Sequence, residues 1–108
     1  MCRLTVLYGH PTNPAEFDRY YHEIHIPIAR KMRGLKGWTI GKCQSLDPSE
    51  RPAYYMIVGL YADTRQDLEK IIASPEGQDT VDDVPRFATG GATFIFNDEI
   101  VLTPYTLA

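Results

Sequence analysis

Ten residues near the middle of the chain, Ala53 to Ala62 (AYYMIVGLYA), are apolar on both of the faces that a β-strand presents. Tyr55, Ile57 and Tyr61 alternate with Tyr54, Met56, Val58 and Leu60, and alternate strand residues point to opposite sides of a sheet. Helices of the same chain can cover one side. An apolar second side left in water invites aggregation. Two copies joined sheet face to sheet face would cover it, so the expectation is a homodimer whose sheets form a shared barrel with the helices outside. With 108 residues the chain has room for one domain, 1–108. A hydrophobic content of 44% suits its single core.

Periodicity and punctuation give six elements. CRLTVLY alternates Cys2, Leu4, Val6 and Tyr8 against Arg3, Thr5 and Leu7, the pattern of a strand. Asn13, Pro14 and Glu16 then provide a cap, a first helical residue and a capping-box carboxylate. The first helix is expected from Pro14 to Met32, with Phe17, Tyr21, Ile24, Ile28 and Met32 on one stripe. Pro27 should kink or divide it near His25, and Gly34 suits a left-handed stop. A strand from Leu35 to Gln44 carries Trp38, and the loop SLDPSERP leads into AYYMIVGLYA. Thr64 and Asp67 open a second helix through Leu68, Ile71 and Ile72, and Ser74-Pro75 starts a shorter helical turn to Val84. The last strand is expected from Ala92 to Asn97, entered through Gly90-Gly91. The order βαββαβ is the split βαβ arrangement of ferredoxin-like α+β folds, with a four-stranded antiparallel sheet.

A net charge of −3 and the lack of any basic run argue against nucleic acid or an anionic membrane as the main partner. No apolar run approaches the roughly 20 residues that span a bilayer, and the N-terminus MCRLTVLYGH lacks the pattern of a signal peptide. Cys2 and Cys43 match no metal or redox spacing and are expected as reduced thiols, with the cytoplasm as the location. A small hydrophobic ligand is the expected partner besides a second copy. The tail, about 98–108, is a candidate contact with that copy.

The chemistry-bearing stretch is YYHEIHIPIA, Tyr20 to Ala29. His22 and His25 stand three apart, whereas the helical zinc motif places its histidines four apart around a glutamate. No third ligand is evident, so no metal is expected. His25 falls near the edge of the apolar stripe and His22 on a more solvated flank. Apolar surroundings lower an imidazole's pKa and leave a neutral ring fit for acid/base work. The competing reading is a core histidine bonded to a carbonyl that Pro27 leaves unpaired. Tyr8, Tyr20, Tyr21, Tyr54, Tyr55 and Tyr61 could line a pocket or simply pack a core; Tyr21 shares the stripe with His25. Of Asp82 and Asp83, one braces a loop or orients a histidine. Cys43 lacks the surroundings of a nucleophile.

Three segments, LTVLYGHPTNPAEFDRYYHEIHIPIA, GLKGW and SPEGQDTVDDVPRFATGGATFIF, resemble the EthD family, small dimeric α+β-barrel proteins named for an ethyl tert-butyl ether degradation cluster. The most specific pieces are Phe17-x-x-Tyr20-Tyr21…His25-x-Pro27 and Asp83-Val84-Pro85-x-Phe87-Ala88-Thr89-Gly90-Gly91. The resemblance implies a cavity between helices and sheet with His25 at its wall. It departs at Arg33, where the family usually has proline before the glycine. Family members are often labelled oxidoreductases, yet the chain has no dinucleotide fingerprint, flavin site or cysteine cluster, and no cofactor is expected. Superfamily relatives range from cofactor-free monooxygenases to isomerases, cyclases and haem-handling proteins, among which a fold cannot choose.

The leading expectation is cofactor-independent isomerase or cyclase chemistry on a hydrophobic carbonyl or aromatic compound. His25 would be catalytic, with Tyr8, Phe17, Tyr21, Ile28, Tyr55, Asp83 and Phe87 as ligand contacts. The alternatives are a non-catalytic carrier or accessory protein for an oxygenase, and haem binding through His25.

Overall fold

The computed structural model describes residues 1–105. Strand β1 (Cys2–Tyr8) is followed by α1 (Pro14–Tyr20), a π-helical turn (Tyr21–His25) and α2 (Ile26–Ala29). Strands β2 (Gly37–Lys42) and β3 (Met56–Ala62) form a hairpin. Then come α3 (Arg65–Ala73), α4 (Pro75–Asp83), a 3-10 turn (Val84–Arg86) and β4 (Ala92–Asp98). The sheet order is β2-β3-β1-β4, and every neighbouring pair is antiparallel. This is the ferredoxin-like α+β architecture that the element order predicts.

Caps account for the helix starts. Asn13 accepts a hydrogen bond from the Glu16 amide at 3.2 Å and Thr64 from the Asp67 amide at 3.1 Å. Ser74 ends α3 and begins α4, accepting from the Gly77 amide at 3.1 Å while its hydroxyl donates to the Ile71 carbonyl. The expected short turn after Ser74 is therefore a full nine-residue helix. Gly34 has φ 98°, the left-handed conformation expected at that stop. The strands are shorter than the apolar runs that announce β2 and β3. Leu35, Lys36, Cys43 and Gln44 fall outside β2, and Ala53 to Tyr55 precede β3.

The helices cover the face formed by Cys2, Leu4, Val6 and Tyr8 of β1 with Met56, Val58, Leu60 and Ala62 of β3, all of them buried. The opposite face carries Leu7, Ile57, Tyr61 and Ile95, but also Arg3, Thr5, Thr39 and Asn97. It is more mixed than the AYYMIVGLYA run suggests, because the neighbouring strands present polar residues between the apolar ones. Beyond β4, Ile100, Val101, Leu102 and Tyr105 are exposed. The expected contact of the tail with a second copy lies in part outside the described residues, which end at 105.

Candidate functional site

Pro27 shapes the site from a distance of two residues. Lacking an N–H, and with a ring that crowds the preceding carbonyls, it cannot continue an α-helix undisturbed. The chain answers with the π-helical turn just before it, in which the Ile26 amide bonds the Tyr21 carbonyl. The wider turn rotates everything after it. In an unbroken α-helix, at about 100° per residue, the inward stripe would run Tyr21, Ile24, Ile28. Instead Tyr21, His25, Ala29 and Met32 are buried, while Ile24 and Ile28 are half-buried on the flank. His25 moves from the edge of the stripe to its middle.

The ring is 4% exposed, and its Nδ1 lies 2.9 Å from Oδ2 of Asp83 at the end of α4. The alternative of a carbonyl freed by Pro27 as its partner is thereby replaced by a carboxylate. The other oxygen of Asp83 accepts from the Tyr20 hydroxyl at 2.7 Å and from Arg86 Nη1 at 3.3 Å. Burial alone would raise the Asp83 carboxyl, but the hydrogen bonds from Tyr20 and His25 outweigh it and hold the group below its ordinary 3.8. Burial pulls the imidazole below 6.5, against the hydrogen bond and charge of Asp83. The pair near neutral pH is thus an anionic Asp83 and a neutral His25 whose Nδ1–H donates to the carboxylate. That tautomer leaves Nε2 as a lone-pair acceptor.

Nε2 makes no hydrogen bond to another described residue. His25 lines a cavity between the helices and the sheet, together with Tyr8, Tyr21, Met32, Trp38, Thr80 and Phe94 and a set of aliphatic side chains from β1, β3 and the helices. Burial raises the Tyr8 hydroxyl far above its ordinary pKa, with Tyr21 and Asp83 adding to it. Burial likewise raises Tyr21, opposed by the donor Trp38. Both phenols stay protonated. The cavity is small, about 30 Å³, on the order of two water molecules.

The EthD domain model matches residues 9–91. The chain belongs to the EthD family. An uncharacterized 11.0 kDa protein from the thcB-thcC intergenic region of Rhodococcus erythropolis is 39% identical over 104 residues, 96% of this chain and 100% of the relative. An EthD-family protein from Bacillus halodurans superposes with a TM-score of 0.85 at 26% identity, covering 93% of this chain and 99% of that one. A dimeric ferredoxin-like protein of unknown function from Bacteroides fragilis shares the fold with a TM-score of 0.64 at 10% identity, covering 91% and 95%.

In this EthD domain the candidate residues divide into two groups. Tyr8, Tyr21 and His25 meet at the cavity, and Asp83 stands behind His25 rather than in the cavity wall. Phe17 and Phe87 are packing neighbours: Phe87 covers the imidazole with centroids 4.6 Å apart, and Phe17 stacks on Tyr21 at 6.0 Å. Ile28 is turned aside by the π-helical turn, and Ala29 takes its place in the lining. Tyr55 lies elsewhere, its hydroxyl donating to Asp18 at 2.8 Å and accepting from Lys42 at 2.9 Å. Met32, on the stripe with Tyr21, lines the cavity as well, and Trp38, Phe94 and Thr80 do so without any local signal that marks them. Tyr20 and Arg86, which brace Asp83, sit in the two family segments but gain meaning only from the fold.

Among the described residues, no three His, Cys, Asp or Glu side chains are close enough together to hold a metal ion. His22 is exposed, and His10 Nε2 lies 2.6 Å from the Pro52 carbonyl. Of the described residues, no helix is long and apolar enough to cross a membrane.

Proposed function

We propose that this EthD domain is a cytoplasmic homodimer that takes a small, largely apolar carbonyl compound between its helices and sheet and moves a proton on it through His25. Neutral Nε2 takes a proton from the carbon beside the carbonyl, and the C–H electron pair passes to the oxygen as an enolate. The hydroxyls of Tyr8 and Tyr21 donate to that oxygen, which stabilises the charge as it develops. His25 then returns the proton at another carbon, giving isomerisation, or the enolate carbon attacks a second carbonyl of the same molecule, whose C=O π bond opens to an alkoxide that takes the proton back from His25, giving a ring. The reaction is redox-neutral and needs no co-reactant. Asp83 holds the imidazole in the required tautomer and stabilises the transient imidazolium.

One observation carries this reading: a buried histidine that lines a cavity has one nitrogen committed to a buried carboxylate and the other without a hydrogen-bond partner among the described residues. The cavity must widen to accept an organic ligand. The long, flexible Met32 side chain and half-exposed Trp38 and Phe94 are the walls best able to move.

Native mass spectrometry of protein purified from its host identifies the retained molecule. That molecule is then incubated in D₂O with wild type and with His25→Ala, folding being checked by circular dichroism. Wild type should introduce deuterium beside the carbonyl, and the variant should not. Recovery of the compound unlabelled and unchanged from wild type would establish a carrier and end the catalytic reading.

A further inference from the structure

The cavity has a basic doorstep. Residues 30–36 read RKMRGLK, four cations and no acid in a chain whose net charge is −3. This segment leaves α2 and turns through Gly34 into β2, so it borders the cavity end formed by Ala29, Met32 and Trp38. Those same three residues line a surface cleft of about 350 Å³ that also includes Arg30, Gly34 and Leu35. Cleft and cavity are therefore separated by the thickness of one side-chain layer. A second cleft, of about 310 Å³, shares Trp38 and Arg30. Trp38 is the common wall of all three spaces.

Arg30 is exposed and lies over the Trp38 ring, 5.5 Å from its centroid. Elsewhere in the protein Arg19, Lys42, Arg65 and Arg86 each meet a carboxylate, whereas Arg3, Arg51 and Lys70 stand apart from one another with none among the described residues, so it is the clustering of cations at the doorstep that sets it apart. Within the doorstep only Lys36 does, pairing with Asp63 at 3.1 Å. Among the described residues Arg30, Lys31 and Arg33 have no carboxylate within ion-pair distance. Cations that lack an acidic partner, set beside the wall of an apolar cavity, suit a ligand that brings the anion itself. An arginine fork matches a carboxylate with two parallel hydrogen bonds.

We infer that the ligand is an amphiphilic carboxylate: its apolar body passes Trp38 into the cavity and its carboxylate remains outside on Arg30, with Lys31 and Arg33 adding to the local field. The inference rests on the pocket reading above and narrows it, since a neutral hydrophobic compound would gain nothing from the doorstep.

Trp38 is the sole tryptophan, so intrinsic fluorescence reports on this wall without labelling. The probes are phenylacetate, 3-phenylpropanoate and 4-phenylbutanoate, each paired with its neutral amide. They are titrated into the full-length protein with Trp38 emission and the His25 ring NMR signals followed together. At least one acid should bind about tenfold more tightly than its amide, the worth of one charge-assisted contact. Raising the salt concentration should weaken the acid alone. Arg30→Met, which keeps a long apolar side chain on Trp38, should erase the preference while leaving amide affinity unchanged, and Arg30→Lys should restore part of it. Acids and amides that bind equally, with His25 perturbed, would overturn the carboxylate and leave the cavity standing. A preference that survives in Arg30→Met would also overturn it. If neither series moves Trp38 or His25, the pocket reading falls with it.

Discussion

At the scale of single residues, the protein turns on a proton that Asp83 and His25 share unequally. The imidazole is held below 6.5 by burial and the carboxyl below 3.8 by its hydrogen bonds. Well above pH 6.5 the ring is neutral in both folded and unfolded chains. As pH falls below that value the unfolded chain takes up a proton that the folded chain resists, so stability drops. Asp83 works in the same direction at lower pH: its stabilisation is complete above 3.8 and is lost as the pH falls through its folded value. Urea midpoints measured from pH 8 to pH 5 should decline in wild type and decline less in His25→Gln. Parallel curves would show that the folded protein does not disfavour the charged ring. The histidine itself was legible in the sequence, from its place near an apolar stripe and from the family resemblance. Its partner was narrowed only to the Asp82-Asp83 pair by the residues, with Asp83 favoured by the family segment. Asp82 and Asp83 are adjacent and chemically alike, and only the way α4 runs into the 3-10 turn decides that Asp83 faces inward while Asp82 stays exposed.

Among the elements, the junctions matter more than the middles. The π-helical turn shows how one proline, legible in the sequence as a kink, changes which residues face the cavity: it replaces Ile28 with Ala29 and centres His25. The break was predictable, whereas the direction of the register shift depended on which carbonyl accepted the Ile26 amide. The joint at Ser74 is tighter still. A Cβ on Gly77 would run into the backbone carbonyls of Ile71 and Ile72, which cannot yield without parting α3 from α4. Alanine in a helix interior usually stabilises by about 1 kcal/mol relative to glycine. Here Gly77→Ala should instead cost about 1–3 kcal/mol, read as a lower denaturation midpoint. A raised midpoint would mean that the two helices are not in such close contact. Nothing around Gly77 in the sequence distinguishes it from a glycine that α4 merely tolerates.

For the whole molecule, the open question of the sheet is its uncovered side. Arg3 lies across that face with its guanidinium where a side chain on Gly59 would sit, and its Nε is buried without a partner among the described residues. Its guanidinium lies over the Tyr61 ring, 5.7 Å from the centroid, and Leu7, Ile57 and Ile95 add apolar area to the same face. A second copy laid face to face would shield these side chains and bring hydrogen-bond acceptors to Arg3. On that proposal, Ile57→Lys would place like charges opposite one another across the two-fold axis. Light scattering coupled to size exclusion should then find the mass of one chain, with far-UV dichroism unchanged. A variant that keeps the mass of two chains would move the interface to another surface.

Order along the chain was enough for the αβ layout, because hydrophobic period, caps and glycine stops are local properties that short-range sterics and hydrogen bonding enforce. The inward face of β1, the stop at Gly34 and the helix start at Ser74 could be read in this way. The cavity could not. Its walls come from all four strands and from the helices laid over them, and whether Met32, Trp38 and Phe94 close over His25 depends on how far the helical layer stands from the sheet. That distance is set by the summed packing of side chains remote in sequence, which no window of neighbouring residues contains.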